Sequence, residues 1–320
     1  MDNKLKYFKL GKDFDQEEEK LPENQAIYLF VFSTLCFALS NSIIKNLKSI
    51  KPDHNEFSFL LDRYFFYAFI NYLVCKRNDI DLSGIQKDDI KWMLGRNISF
   101  FFGFFLTNLC LNYLRLGTAI CLMMLAPMWM SILSIFVLKE NFHMRYLIGA
   151  GVCFLGTIFM SINERSDNNP GKKISYFFIF IGFLCGLLSS GTTALANIAS
   201  KVLADKYDSN YVNLIFGVWS SIISLCMGFL TANFWTDSFN CVIINHALIN
   251  AIVSYFSLHY LNLSYKYIEV SKVNMLGYLQ LIFACIIGYF YFDEKIFMLD
   301  FLGASMIIGY NVYNVFVISK

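Results

Sequence analysis

The residues with chemistry to offer are polar groups set inside long apolar runs. Arg63 stands beside Asp62 in a stretch from Phe57 to Cys75 that is otherwise mostly apolar. A guanidinium presents a planar fork of donors suited to a carboxylate or phosphate. A charge at the centre of a bilayer costs roughly 2.5–3.5 kcal/mol. Such an arginine therefore faces a cavity, pairs internally with Asp62, or anchors at the interface. Asn41-x-x-x-Lys45 recurs as Asn197-x-x-x-Lys201. Each asparagine lies one helical turn before its lysine, on the same face and deeper. A lysine there suits a helix C-terminus, and the same placement suits a gate over a solute path. Asn108 and Asn112 are one turn apart, and His259 precedes Asn262. Lys272, Asn274, Tyr278 and Gln280 make one later stretch unusually polar. Asn274 and Tyr278 share a face there and Gln280 points elsewhere. The candidate solute-binding residues are thus Asn41, Lys45, Arg63, Asn108, Asn112, Asn197, Lys201, His259, Lys272, Asn274 and Tyr278. The bland alternative for each amide is a hydrogen bond that joins two helices.

Catalytic patterns are missing. There is no G-x-S-x-G, no H-E-x-x-H and no G-x-x-x-x-G-K. The four histidines have no metal-ligand spacing, and the nine cysteines form no C-x-x-C pair. No catalytic residue, metal or cofactor is expected, and the protein does not read as an enzyme. A formal net charge of +2 gives no basic field for nucleic acid.

The elements that must position these groups are membrane helices. The chain is 57% hydrophobic and 16% charged, with a mean hydropathy of +0.50. A helix of roughly 20 apolar residues crosses a bilayer. The apolar runs lack the period-two alternation of membrane strands. Ten spans are predicted, at 26–47, 57–75, 91–113, 117–139, 146–162, 174–204, 210–231, 242–263, 270–292 and 299–318. Residues 1–25 read as a flexible cytosolic tail and 164–173 as a polar linker. The five-helix units on either side are 26–163 and 174–320. The fold class is an all-α membrane protein, and its first partner is the lipid bilayer.

The two units can be laid on each other. An offset of 156 superposes Asn41, Lys45 and Leu47 on Asn197, Lys201 and Leu203. An offset of 154 superposes Asn108, Tyr113, Glu140 and Gly149-Ala150 on Asn262, Tyr267, Glu294 and Gly303-Ala304. Five helices is an odd number, so the second copy enters the membrane from the opposite face. Inverted repeats of this kind suit alternating access to a midplane site.

The stretch from Leu111 to Ala119, then Ala126-Pro127, Leu138-Lys139-Glu140, Gly149-Ala150 and Gly156, resembles the drug/metabolite transporter superfamily. More narrowly it is similar to the EamA-type branch, including the solute carrier 35 G-like proteins. The second half departs from the pattern: Leu281 stands where Pro127 would repeat, and Lys272 where Thr118 would. The resemblance implies a cavity lined by spans 1 to 4 and 6 to 9. It implies structural roles for Glu140 and Glu294 at helix ends, and close helix approach at Gly149 and Gly303. Pro127 is expected to kink the fourth span. The expected function is alternating-access transport of a small organic solute. An organic anion is favoured because the charged candidates are mostly cationic. The alternative is a non-transporting receptor or scaffold on the same fold.

The segments on the side of the N-terminal tail hold 16 Lys and Arg against 8 opposite, which makes both termini cytosolic. Tags at Met1 and Lys320 of intact vesicles are expected to show the same protease accessibility. Opposite accessibility would rule out an even number of spans.

Overall fold

A computed structural model describes residues 23–82, 84–126, 176–204, 206–231, 233–267, 279–295 and 297–318, with isolated positions at 129, 133, 148, 151–152, 155–156, 159 and 277. The described chain is helical. The helices are α1 (Glu23–Ile50), α2 (Glu56–Arg77), α3 (Ile90–Tyr113), α4 (Leu116–Met123), α5 (Tyr176–Ala204), α6 (Ser209–Gly228), the short α7 (Phe234–Ser238), α8 (Cys241–Tyr267), α9 (Leu279–Phe292) and α10 (Met298–Ile318). The predicted linker and most of the predicted fifth span lie outside the described residues.

Local chemistry sets several of these boundaries. Asn55 caps α2, its Oδ1 accepting from the Phe57 and Ser58 amides at 2.9 and 3.3 Å. Lys76 and Arg77 sit in the last turn of α2, where the dipole favours cations. Asp208 caps α6 by accepting from the Asn210 amide at 2.7 Å. The fourth span is predicted as continuous from Gly117 to Lys139, but α4 ends at Met123 with a turn at Met124–Leu125. Pro127 has no amide hydrogen to offer the Met123 carbonyl, and helical conformation resumes at Ala126, with the Trp129 amide bonded to the Leu125 carbonyl at 3.2 Å. Pro127 itself lies outside the described residues.

Among the described residues, α1, α3, α5, α6 and α8 contain stretches long and apolar enough to cross a membrane. Large apolar side chains cover their outer surfaces, with Phe65, Phe177 and Phe301 at 60%, 65% and 70% exposure. So much exposed apolar surface would aggregate in water and matches lipid.

The helices run between two faces that hydrogen bonds identify. At the first, the end of α1 meets α8 and α9, with Asn46 Nδ2 3.3 Å from His246 Nε2 and Lys45 bonded to Glu294. The same face holds the start of α2, the end of α3 and the start of α5, whose Phe178 stacks on Tyr113. At the second face, Arg96 of α3 meets Ser200 of α5, and Asn262 of α8 lies 3.3 Å from Ser209 of α6. Thus α1 and α3 run toward the Lys45 face while α5 and α8 run away from it. Helix α2 runs away while α6 runs toward it. Among the described residues, α1, α2 and α3 are each opposite in sense to their repeat mates α5, α6 and α8, as an inverted repeat requires. Lys45 and Lys201 accordingly close helices at opposite faces.

The packing obeys the same exchange. Helix α3 packs on α5, and its mate contact is α8 on α1. Helix α2 packs on its own mate α6 and so lies at the pseudo-two-fold axis. A Cβ at Gly217 of α6 would stand 2.9 Å from the Ala68 Cα of α2, a contact with backbone that no rotamer relieves. Gly217→Val is expected to cost about 1–3 kcal/mol through overpacking, read as a lower melting temperature in detergent. Gly191→Ala, where a Cβ meets open space, is the control expected to leave it unchanged or raise it slightly. Equal stability of the two variants would refute the axis contact.

Candidate functional site

A cavity of about 140 Å³ lies between the halves. Helix α1 lines it from Phe30 to Asn41, and α3 adds Phe100, Gly103, Phe104 and Thr107. Met123 and Ala126 come from α4 and its following turn, Thr193 and Asn197 from α5, Leu261 from α8, Gly277 precedes α9, and Gln280 lies in α9. Five pairs of lining residues are repeat mates. The offset of 156 relates Phe37 to Thr193 and Asn41 to Asn197. The offset of 154 relates Thr107 to Leu261, Met123 to Gly277 and Ala126 to Gln280. The cavity therefore straddles the pseudo-two-fold axis. Only the asparagine pair keeps its chemistry; the other four exchange an apolar residue for a polar or smaller one.

Position along the helices shows where the cavity is closed. The lining of α1 ends at Asn41, and that of α9 begins near its first turn, so the cavity occupies the middle and the Arg96-face half. Toward the Lys45 face an apolar layer seals it, with Leu47, Leu116, Ile120, Leu281 and Ala284 all buried together. An ionic layer covers that seal. Lys45 Nζ bonds Glu294 Oε1, which also accepts from the Leu116 amide at 3.0 Å. Arg115 forks onto Asp300 with contacts of 3.1 and 2.9 Å. The backbone prepares this geometry. Asp293 takes a left-handed conformation, φ 51°, after the last turn of α9, and the Glu294 amide returns to the Gly288 carbonyl at 3.0 Å. A Cβ at Gly288 would stand 2.5 Å from Glu294 Oε2, so any larger residue there would shift the carboxylate.

The sequence-derived candidates separate. Asn41 and Asn197 line the cavity. Arg63, at 2% exposure, lies behind its wall. Its Nη2 donates to Ser254 Oγ at 3.1 Å, and its guanidinium carbon lies 4.5 Å from the centre of the Phe104 ring. Ser254 in turn is 3.2 Å from Ser40 Oγ on the cavity wall. The internal Asp62–Arg63 pairing does not form among the described residues. Lys45 belongs to the ionic layer, and Glu294 is its partner. Asn108 is buried near Lys48, which donates to its carbonyl, and Asn112 donates to Glu56 Oε1 at 3.0 Å, both away from the cavity. His259 Nδ1 lies 3.1 Å from Asn210 Oδ1 and its ring stacks on Tyr255 at the Arg96 face. Gly303 is buried in α10. Lys272, Asn274, Tyr278, Glu140 and Gly149 lie outside the described residues, as does the side chain of Lys201.

Two groups escaped the sequence reading. Gln280 lines the cavity although helical spacing turned it from Asn274 and Tyr278. Arg96, at 1% exposure, donates to Ser200 Oγ at 2.8 Å and to Asn213 Oδ1 at 2.9 Å, joining α3 to α5 and α6. Its signal was a lone cation inside the third predicted span. Beyond it, Lys206 Nζ donates to Asp89 at 2.7 Å, and that bond raises the Lys206 ammonium above its ordinary value.

Opposed helical halves around a central cavity, inside an apolar exterior, define a multi-pass integral membrane protein. Residues 24–162 match the EamA-like transporter family, so the first half of the chain is similar to EamA-type transporters. The match does not reach the narrower solute carrier 35 G-like level. The fold is shared with a crystal structure of a protein that is 12% identical, at a TM-score of 0.60, over 92% of this chain and 96% of that one. No curated protein matches the chain.

The ionic layer makes a definite prediction. Glu294→Gln removes the charge that holds Lys45, an interaction worth about 1.5–3 kcal/mol. Cys110 and Cys121 lie buried in the apolar layer below. Their labelling by a membrane-impermeant maleimide from the Lys45 face is expected to quicken about tenfold or more in Glu294→Gln. Gly288→Ala should do the same by displacing the carboxylate. Unchanged labelling in both would show that the ionic layer does not hold the seal.

Proposed function

We propose that the protein moves a small organic solute across its membrane by alternating access, the central cavity being the binding site. The observation that carries this reading is cavity polarity contributed by both halves, with Asn41 and its repeat mate Asn197 on the same space. A scaffold has no use for a symmetric pair of amides at the centre of a bilayer. The match of residues 24–162 to the EamA-like transporter family supports the same reading. The two five-span units at 26–163 and 174–320, joined by 164–173, are the bodies that would rock. The closed seal at the Lys45 face and the cavity in the other half suit one end state of such a cycle.

The excess of Lys and Arg on the tail side supports cytosolic termini. The α1 N-terminus marks the Arg96 face, so the cavity half of the molecule would be cytosolic. The remaining candidates, Lys201, Lys272, Asn274 and Tyr278, belong by sequence position to the spans that would border the path.

Proteoliposomes tested with a labelled panel of neutral, anionic and cationic metabolites decide the matter. At least one solute is expected to accumulate saturably, and Asn197→Leu is expected to lower its initial rate roughly tenfold or more, as loss of a site's hydrogen-bonding partner does. Equal leakage of every solute in protein-containing and empty vesicles would favour the receptor or scaffold alternative.

A further inference from the structure

Three carboxamides meet in the cavity. Asn41 and Gln280 are buried, at 4% and 6% exposure, and Asn197 is half-buried. None of the three side chains hydrogen-bonds another described residue, and Gln280 Nε2 is buried without a partner. Buried amides are ordinarily paired, so three carboxamides around one space with no bond to a described residue, Gln280 Nε2 among them, point to something that pairs them. Three of the hydroxyls nearby are already committed. Ser33 donates to the Ser257 carbonyl at 2.7 Å, Thr34 to the Val31 carbonyl at 2.7 Å and Thr107 to the Gly103 carbonyl at 2.9 Å.

The remaining walls are flat or soft. Phe30, Phe37, Phe100 and Phe104 give ring faces and edges, and Met123 and Met124 give polarizable sulfur. No described lining residue carries a charge. Among the described cations, Arg63 is held behind Phe104 by its contact with that ring and by Ser254. An ionised solute would shed its hydration without meeting a counter-charge, which is strongly unfavourable away from water. A neutral solute with an amide-type edge would satisfy donors and acceptors together, because each carboxamide offers both.

We propose that the cavity takes an uncharged, flat heteroaromatic solute that carries an amide-like donor–acceptor edge. This rests on the cavity being the binding site of the transporter reading. It replaces the organic anion expected from the sequence, because the cations behind that expectation that are described, Arg63 and Lys45, do not line the cavity.

Nicotinamide, nicotinate and 1-methylnicotinamide share one ring and nearly one size, and they are neutral, anionic and cationic. Thermal stability of the purified full chain in detergent, measured with each, reports binding apart from transport. Nicotinamide is expected to raise the melting temperature in a saturable way, with an apparent affinity at least tenfold above that of either charged analogue. Gln280→Met, close in shape, is expected to remove the nicotinamide effect while the variant stays monodisperse and folded. A nicotinate or 1-methylnicotinamide effect equal to or larger than that of nicotinamide would overturn the proposal, as would no effect from any of the three. Uptake of labelled nicotinamide into proteoliposomes separates the two readings. Binding without uptake would uphold the solute class and defeat transport, whereas uptake of the charged analogues alone would uphold transport and defeat the class.

Discussion

A guanidinium in hydrocarbon must be satisfied by its own protein, and that constraint determines where the two halves meet. Arg96 is answered by Ser200 and Asn213, which brings α3 against α5 and α6. Arg63 donates through Nη2 to Ser254, its Nη1 being buried without a partner among the described residues, and Ser254 with Asn250 holds Ser40, which brings α2 and α1 against α8. The two groups are related by the exchange of halves, except that the arginine moves from the third helix to the second. Removing either charge would be less damaging than leaving it unpaired, because an uncompensated buried charge costs more than the pair is worth. The packed aromatic rings around each guanidinium, Phe100 for Arg96 and Phe104 for Arg63, add cation–π contacts that need no water.

The same arrangement separates strength from function. Among the described residues, buried charges lie in pairs or behind rings, and the cavity walls are left with neutral groups. The Lys45–Glu294 and Arg115–Asp300 pairs sit over an apolar layer at one face. Ion pairs of this kind at the edge of a bilayer are easier to exchange for water than a packed core is to open. That makes the Lys45 face the natural place for an opening step, and the α3–α5 and α1–α8 contacts the rigid bodies around it.

Symmetry builds the cavity, and its breaking gives the cavity a chemical character. Asn41 and Asn197 approach from both halves because the repeat places them there. Gln280 stands where its repeat mate is Ala126, and Thr193 where its mate is Phe37. A solute bound on the axis thus meets an asymmetric surface although the helices around it are nearly equivalent.

Much of this was legible in the sequence. Apolar run length determined the spans, because a helix must cross a bilayer of set thickness. The odd count of five and the recurring Asn-x-x-x-Lys determined the inversion and singled out Asn41 and Asn197. Other features were decided only by tertiary structure. Helical spacing says which residues share a face, but not which face meets a cavity, so Arg63 was expected in the path and lies behind it, while Gln280 was set aside and lines it. The partner of Lys45 is 249 positions away, and no local pattern connects them. The interruption of the fourth span falls between the two kinds of knowledge. Pro127 announced it in the sequence, and the end of α4 at Met123 located it, because the lost hydrogen bond belongs to the carbonyl four residues before the proline.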